Sequence, residues 1–318
     1  MTERTLIAWR STLAGVLALL AAMLILGPAL AQTDPTPEPT PTPIPRPAPI
    51  ITATDGRSTL ALYFNVLPQG SAGVAHIPAG EVAGARMRFL GSVTDFYSAE
   101  DGLYVLVPIG LDVVPRDYPL TISVLYEDGT RGTLDATVNV TGGGFVRQAF
   151  SVPAERAYLT APEVERNEYA RISSVFERSS DVRLWDNAGF QQPIDSEITS
   201  PFGAFRTLNQ NTQTRHTGWD LRAAPGTPIQ ASATGHIAFA GPLDIRGNCI
   251  IIDHGFGVFS AYAHLSQIHV SPGQTVSHGQ IIGVTGNTGR SNGPHLHWEI
   301  AVNGEWVDSL AFTQMWLP

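Results

Sequence analysis

The sequence has no lysine and only one cysteine. All 19 cationic side chains of the 318-residue chain are arginines, so mechanisms that require a lysine amine are excluded. Cys249 has no partner for an internal disulfide, and its apolar neighbours predict a buried, inert thiol. The formal net charge is -9, so the chain lacks the basic surface that neutralises phosphates. We therefore expect no nucleic-acid partner.

The first 31 residues have the features of a targeting segment. Arg4 and Arg10 precede an apolar stretch from Leu13 to Leu26, and Ala29-Leu30-Ala31 has the small-x-small pattern that signal peptidase recognises. Residues 1–31 are therefore predicted to be a signal peptide. Because the apolar stretch approaches the roughly 20 residues that cross a bilayer, an uncleaved membrane anchor is the alternative. Both interpretations make the rest of the chain extracytoplasmic, either secreted or tethered to a membrane.

The next two segments differ sharply in composition. Proline occupies every second position from Pro35 to Pro49, which predicts an extended, semi-rigid linker over residues 32–50. Residues 51–152 contain short alternating runs separated by turn residues, the last of them Phe145–Val152. This pattern predicts an immunoglobulin-like, antiparallel β-sandwich that serves as an accessory domain. His76 in this domain is expected to be a surface or turn residue.

Residues 153–193 are predicted to be a helical connector. Apolar residues recur at helical spacing between Leu159 and Ser180, and Pro162 suits the first turn of a helix. The following loop is expected to pack Trp185 and Phe190 against the last domain.

Residues 194–318 are predicted to form an all-β domain, because they are rich in glycine, β-branched residues and turns. His295 and His297 stand two positions apart in an extended run, so their imidazoles point to one face of a strand. His216 and Asp220 add a second imidazole and a carboxylate upstream. One face of the domain can therefore bind a metal ion and still keep a base.

The same domain contains short motifs that resemble those of a known family. The motifs are Ser200-Pro-Phe-Gly203, His216-x-Gly-x-Asp220, Ala224-Pro-Gly-Thr-Pro228, Ile252-Asp-His-Gly255, Tyr262-Ala-His-Leu265, Gly273-Gln-x-Val276, Gly286-x-Thr-Gly289 and Gly293-Pro-His-Leu-His-Trp-Glu299. In order and approximate spacing they resemble the lysostaphin/LytM-type zinc metallopeptidases, which cut the peptide portion of bacterial peptidoglycan. The resemblance does not extend to the first half of the chain.

The resemblance implies a role for each of five side chains. His216, Asp220 and His297 match the family's three ligands to one Zn²⁺ per chain. His264 and His295 match its two non-ligand active-site histidines. This agrees with zinc chemistry, in which three protein ligands leave a fourth position for a water molecule. His295 is then placed to accept the proton of that water, and His264 to orient the water or stabilise developing charge.

Several positions need separate treatment. Many relatives have a tyrosine before the first zinc histidine, whereas this sequence has Leu208 there, which leaves the stabilisation of the oxyanion open. Asn209 or Asn211 is a candidate to occupy the fourth zinc position, with a solvated loop as the alternative. His254 is expected to be structural, and Glu299 is not expected to act as a general base.

Together with the zinc-binding pattern, the resemblance implies a zinc-dependent endopeptidase that hydrolyses peptidoglycan peptides during cell-wall remodelling or division. The expected partner is the bacterial cell wall, and the expected groove walls are Phe205–Arg215, Asp244–Gly247 and Asn287–Asn292. The first alternative is a non-catalytic LytM-like activator of cell-wall amidases. The second is a wall-binding module in which residues 51–152 do the main work.

Overall fold

The computed structural model describes residues 43–209 and 212–318, which form a mostly β fold. The predicted leader at 1–31, most of the predicted linker at 32–50 and Asn211 lie outside the described residues. Among the described residues, no helix has both the length and the apolar character needed to cross a membrane.

The first half contains the strands β1 (Ile51–Thr54), β2 (Thr59–Leu62), β3 (Val66–Pro68), β4 (Ala72–Pro78), β5 (Val82–Phe89), β6 (Ser92–Asp95), β7 (Tyr97–Ala99), β8 (Gly102–Pro108), β9 (Asp117–Tyr126) and β10 (Arg131–Thr141).

These ten strands form two five-stranded sheets that pack face to face. One sheet has the order β1-β2-β4-β8-β7 and the other the order β3-β10-β9-β5-β6. Buried and exposed residues alternate along β9, where Leu120, Ile122 and Val124 point into a core shared with Val105 and Val107 of the opposite sheet. The predicted sandwich is therefore present, with one parallel pair, β3 and β10, among antiparallel ones. Its relation to immunoglobulin domains stays a prediction.

The strand that follows the sandwich does not belong to it. β11 (Arg147–Phe150) pairs in parallel with Phe205–Leu208, so the prediction that the run Phe145–Val152 is part of the sandwich is wrong. The physical reason is apolar contact between Phe145 and aromatic residues of the C-terminal half. The Phe145 ring packs edge-on against Phe202 and Phe205, at centroid distances of 6.1 and 6.5 Å.

The predicted connecting helix is confirmed. A short 3₁₀ helix (Ala154–Thr160) precedes α1 (Pro162–Phe176), and Pro162 lies in the first turn of α1, where no backbone N–H is needed. In the loop after α1, Trp185 and Phe190 are buried in the core of the C-terminal half, as predicted.

The C-terminal half is built around one large sheet. Its elements are β12 (Ile198–Ser200), β13 (Phe205–Leu208), β14 (Thr212–Arg215), β15 (Trp219–Arg222), β16 (Pro228–Gln230), β17 (Gly235–Pro242), β18 (Asn248–Gly255), β19 (Val258–Ile268), β20 (Thr275–Val276), β21 (Ile281–Thr285), β22 (His295–Val302), β23 (Glu305–Val307) and α2 (Ser309–Thr313). The main path of the sheet is β12-β15-β22-β19-β18-β17-β20, which places β22 between β15 and β19. The hairpin β13–β14 forms a separate small sheet with β11.

The two halves share an apolar core. Val74, Tyr104 and Leu106 of the sandwich pack in one cluster with buried residues of the C-terminal strands. Hydrogen bonds cross the same junction, for example from the side-chain amide of Asn303 to the carbonyl of Leu106 at 2.8 Å.

Arg46, at the end of the proline-rich segment, is also attached to this folded part. Its guanidinium lies 2.5 Å from a carboxylate oxygen of Asp101 and 5.2 Å from the ring centre of Trp316. It contacts His76 as well, which is 2% exposed and stacks on Tyr104. The prediction that His76 is a surface or turn residue is therefore wrong, because stacking and the Arg46 contact bury it within β4.

Candidate metal centre and active site

The pairing of two strands creates the centre of the site. In the register of β15 and β22, Asp220 lies opposite His297. His216 lies just before β15, and the intervening Gly218 allows the two strands to approach closely. A Cβ added at Gly218 would lie 2.3 Å from the carbonyl oxygen of Trp298. The spacing His216-x-Gly-x-Asp220 therefore has a steric basis as well as a chemical one.

Three potential ligand atoms meet at one point. His216 Nε2 lies 3.0 Å from Asp220 Oδ1 and 3.0 Å from His297 Nδ1, and the last two atoms are 2.8 Å apart. All three side chains are buried. Zinc bonds of about 2.0 to 2.2 Å place tetrahedral ligand atoms only slightly farther apart, at about 3.3 Å. Two nitrogens and one carboxylate oxygen are donors that zinc accepts, so this group fits the ion.

Hydrogen bonds determine which ring nitrogen of each histidine faces this point. His216 Nδ1 lies 2.6 Å from the carbonyl oxygen of Pro201, which can only accept, so Nδ1 carries the proton and Nε2 has a free lone pair. In His297 the roles are reversed. Its Nε2 lies 3.0 Å from a carboxylate oxygen of Glu299, so Nδ1 is the free nitrogen. Three potential acceptors therefore face one another, an arrangement that a shared cation would stabilise.

Electrostatics prepares the three groups for a cation. Burial lowers the pKa of His216 to about 4, so this imidazole is neutral in ordinary conditions. Burial opposes the ionisation of Asp220, but the neighbouring imidazoles, chiefly His216, outweigh it and hold the pKa of Asp220 well below its usual range. Burial also disfavours charge on His297, yet Glu299 and Asp220 raise its pKa. A proton and a metal ion therefore compete for His297.

His264 and His295 lie beside this group without joining it. His264 Nδ1 is 2.8 Å from the carbonyl oxygen of Thr288, and His295 Nδ1 is 2.8 Å from that of Gly293. In each ring Nδ1 therefore donates, which leaves Nε2 as the atom that can exchange a proton; Nε2 of His295 lies 3.5 Å from Asp220 Oδ1. The two ring centres are 4.8 Å apart, and burial holds the pKa of His264 well below its usual range. His264 has a φ of 63°, an unusual backbone conformation for a residue with a side chain.

The structure thus brings together all five side chains that the sequence singles out, and the roles assigned to them stay predictions. It also adds charged residues that sequence reasoning missed. Arg206 Nη2 lies 2.5 Å from Asp220 Oδ2, on the side of the carboxylate away from the histidines. Arg246 binds the carboxylate of Glu299, and Glu168 of α1 binds Arg246.

Glu299 lies two positions after His297 in β22, so alternation along the strand predicts that both side chains lie on the same face. The contact of Glu299 with the imidazole edge that points away from the ligand group is consistent with the expectation that it is not a general base.

Asn209 and Leu208 lie in the segment before His216. The Asn209 side chain exchanges hydrogen bonds with the backbone of Val152 at 2.8 and 3.3 Å, so it is turned toward the connector and does not occupy a ligand position. Leu208 is buried and lines a small cavity of about 100 Å³ beside His216 and His297. Tyr169 of α1 lines the same cavity.

A larger cleft opens on the other side of the site. It has a volume of about 450 Å³ and is lined by Asp220 and His295 together with residues of β11, β12 and the 292–294 segment. This volume is in the range of about 300 to 1,000 Å³ that is typical of ligand sites. Its polar lining includes Gln148 and Arg222, which can bind amide and carboxylate groups.

Two residues outside the site behave as predicted. His254 is fully buried and bonded to the carbonyl of Thr234 at 2.9 Å and to the hydroxyl of Ser260 at 2.7 Å, which gives it a structural role. Cys249 is fully buried, and burial raises the pKa of its thiol.

Comparison with known proteins identifies the segment that contains these residues. Residues 214–309 match the model of peptidase family M23. The DD-carboxypeptidase/endopeptidase Mpg of Neisseria meningitidis is 42% identical over 130 residues, which are 40% of this chain and 30% of Mpg. The peptidoglycan DD-endopeptidase ShyA of Vibrio cholerae is 41% identical over 122 residues, which are 37% of this chain and 28% of ShyA. The match thus spans less than a third of either relative.

One solved structure is similar over a longer part of the chain. A crystal structure of a peptidase M23 from Pseudomonas aeruginosa aligns with 76% of this chain and 93% of its own, at 29% identity and a TM-score of 0.56. Because the family match covers only residues 214–309, this alignment includes much of the chain that precedes it.

Proposed function

We propose that this protein, of which residues 214–309 match peptidase family M23, is a zinc-dependent endopeptidase that hydrolyses peptide bonds of bacterial peptidoglycan. The observation that carries the proposal is the convergence of three buried acceptor atoms within 3.0 Å of one another, from His216, Asp220 and His297. These residues hold one Zn²⁺. Their lone pairs repel one another unless a cation lies between them.

The surrounding residues supply the proton transfers of hydrolysis. A zinc ion held by His216, Asp220 and His297 would supply Lewis-acid chemistry, which would polarise the scissile carbonyl and make a water molecule more acidic. His295 Nε2 accepts the proton of the attacking water and returns it to the leaving amine. His264 orients the water and supports the charge that develops on the carbonyl oxygen. Positioned proton transfer of this kind contributes about 10²- to 10⁴-fold to the rate.

The substrate lies in the cleft of about 450 Å³ beside Asp220 and His295. The relatives Mpg and ShyA are named for endopeptidase activity, and ShyA for peptidoglycan, which supports a cell-wall peptide as the substrate of this chain. The protein then acts outside the cytoplasm on the cell wall during remodelling or division. The predicted signal peptide or membrane anchor at residues 1–31 agrees with this location.

The alternative of a non-catalytic activator of amidases has less support. Such a protein has no chemical need for two further imidazoles, at positions 264 and 295, beside a complete ligand group. The hydrogen bonds from both Nδ1 atoms to backbone carbonyls orient the two rings at these positions.

The test combines zinc analysis with peptide release from purified sacculi. We expect one zinc per wild-type chain and soluble peptides from the sacculi. His297→Ala should lose both zinc and release, whereas His295→Ala should keep zinc and lose release. His269→Ala, at an exposed position away from the site, is the control and should behave as wild type. Undiminished release from His297→Ala, or from thoroughly chelated protein, would contradict the proposal.

A further inference from the structure

We propose that Glu168 of the connector helix α1 is a positioning residue for the metal ligand His297, acting through Arg246 and Glu299. The inference rests on the proposed zinc site. It adds a residue outside the matched family segment, 214–309, to the machinery of that site. We refer to Glu168, Arg246 and Glu299 as the carboxylate–arginine chain.

The chain is continuous in space. Glu168 Oε1 lies 2.9 Å from Arg246 Nη1. On its other edge, Arg246 donates from Nε and Nη2 to the two oxygens of Glu299, at 2.7 and 2.6 Å. Glu299 Oε1 lies 3.0 Å from His297 Nε2, and Thr217 donates its hydroxyl to the same oxygen. Every step from α1 to the imidazole is therefore within hydrogen-bonding distance.

Burial makes these contacts consequential. Glu168 and Glu299 are 1% and 0% exposed, so neither carboxylate is solvated by water. A two-point contact between a guanidinium and a carboxylate fixes both position and orientation, and here it fixes the carboxylate of Glu299 against the ligand imidazole. Partners of this kind set the rotation and the tautomer of metal-binding histidines.

Glu168 controls where Arg246 can lie. Its carboxylate accepts hydrogen bonds from the backbone N–H groups of Ile245 and Arg246, at 2.5 and 3.2 Å, in addition to the guanidinium contact. It thereby fixes both the backbone and the side chain of Arg246. All three partners are donors, so a glutamine at position 168 would turn its amide N–H₂ toward at least one of them. Arg246 and Glu299 would then lose the support that sets their position.

The experiment measures the zinc dissociation constant of the full-length protein by competition with a chromogenic chelator. We expect Glu168→Gln to weaken zinc binding about tenfold, the lower end of the range for groups that orient metal ligands. Glu163→Gln is the matched control, because Glu163 is an exposed residue of the same helix, and it should bind zinc as wild type does. The visible spectrum of the cobalt-substituted protein should change in Glu168→Gln and not in Glu163→Gln.

A double variant separates a connected chain from two independent effects. If Glu168 acts through Glu299, the losses from Glu168→Gln and Glu299→Gln should not multiply when combined. If Glu168→Gln fails to fold, Arg246→Lys takes its place in both measurements, because lysine keeps the charge but cannot contact both carboxylates at once. Wild-type zinc affinity in the folded variant, or fully multiplicative losses, overturns the inference and leaves the proposed function intact. A wild-type protein that binds no zinc overturns both.

Discussion

Gly218 provides a direct test of how the backbone positions the proposed ligands. It lies between His216 and Asp220, and a Cβ at this position would be 2.3 Å from the carbonyl oxygen of Trp298 and 2.8 Å from Cγ of Glu299. In Gly218→Ala, β15 and β22 must separate by about 0.7 Å to bring the closer contact to 3.0 Å. That shift acts on the pairing of Asp220 with His297.

The expected magnitudes follow from this displacement. Metal sites tolerate ligand shifts of only about 0.2 Å, so we expect zinc affinity to fall by at least about tenfold. Forcing an extra carbon into a packed region costs about 1 to 3 kcal/mol, and the free energy of unfolding should fall by this amount. Chelator competition measures the first effect, and urea unfolding of the metal-free protein measures the second.

Gly84→Ala is the control for the substitution itself. Gly84 lies in β5 of the sandwich, and a Cβ there would meet nothing within 4 Å. The change should be neutral or stabilise the protein by about 0.4 to 1 kcal/mol through the unfolded chain. If Gly218→Ala retains wild-type zinc affinity and stability, the steric explanation of the motif glycine is refuted.

Three further predictions concern the core. Burial lowers the pKa of His254 from 6.5 to about 4. Between these two pH values the imidazole is protonated in the unfolded chain but neutral in the folded protein, so stability falls as the pH falls. The free energy of unfolding lost between pH 6.5 and pH 4 should therefore be smaller by about 3 kcal/mol in His254→Gln than in wild type. Denaturant unfolding at each pH measures this loss, and equal losses in the two proteins would contradict the prediction. Trp185→Ala should lower the free energy of unfolding by about 3 to 5 kcal/mol, because the indole is 3% exposed, and a loss below about 1 kcal/mol in urea unfolding would show that the loop is not anchored there. Cys249 should resist alkylation by iodoacetamide in the native protein and react only in denaturant, and rapid native labelling would show that the thiol is accessible.

The ligand group could be predicted from the sequence because its spacing is local. His216 and Asp220 are four residues apart, and His295 and His297 share a strand face, so short motifs determine much of the geometry. The extended run expected around His295 and His297 is also present, as β22.

The supporting charges could not be predicted in the same way. Arg246 is 78 residues from Glu168 and 53 residues from Glu299, and no periodic pattern connects positions so far apart. In the sequence, Glu168 cannot be distinguished from any other polar residue near the start of a helix. Its burial depends on how α1 packs against the segment that contains Arg246, which is a property of the tertiary structure.

The same reason explains the incorrect assignment of β11. Its four residues are too few for their alternation to identify the partner strand. In the structure Arg147 of β11 pairs with Phe205 of β13, which lies 58 residues later in the chain. An alternating run next to a sandwich is equally compatible with either sheet. Contact of Phe145 with Phe202 and Phe205 decides the outcome.

β11, which follows the sandwich in the chain, pairs directly with β13 of the C-terminal half, so the connection between the two halves is not a free linker. The chain that leaves the sandwich is immediately hydrogen-bonded to the hairpin β13–β14, and the two halves are further joined by apolar packing around Tyr104 and Leu106. Backbone hydrogen bonds and a shared apolar core therefore connect the sandwich to the rim of the cleft. We expect the orientation of the cleft to follow that of the sandwich wherever the sandwich is bound.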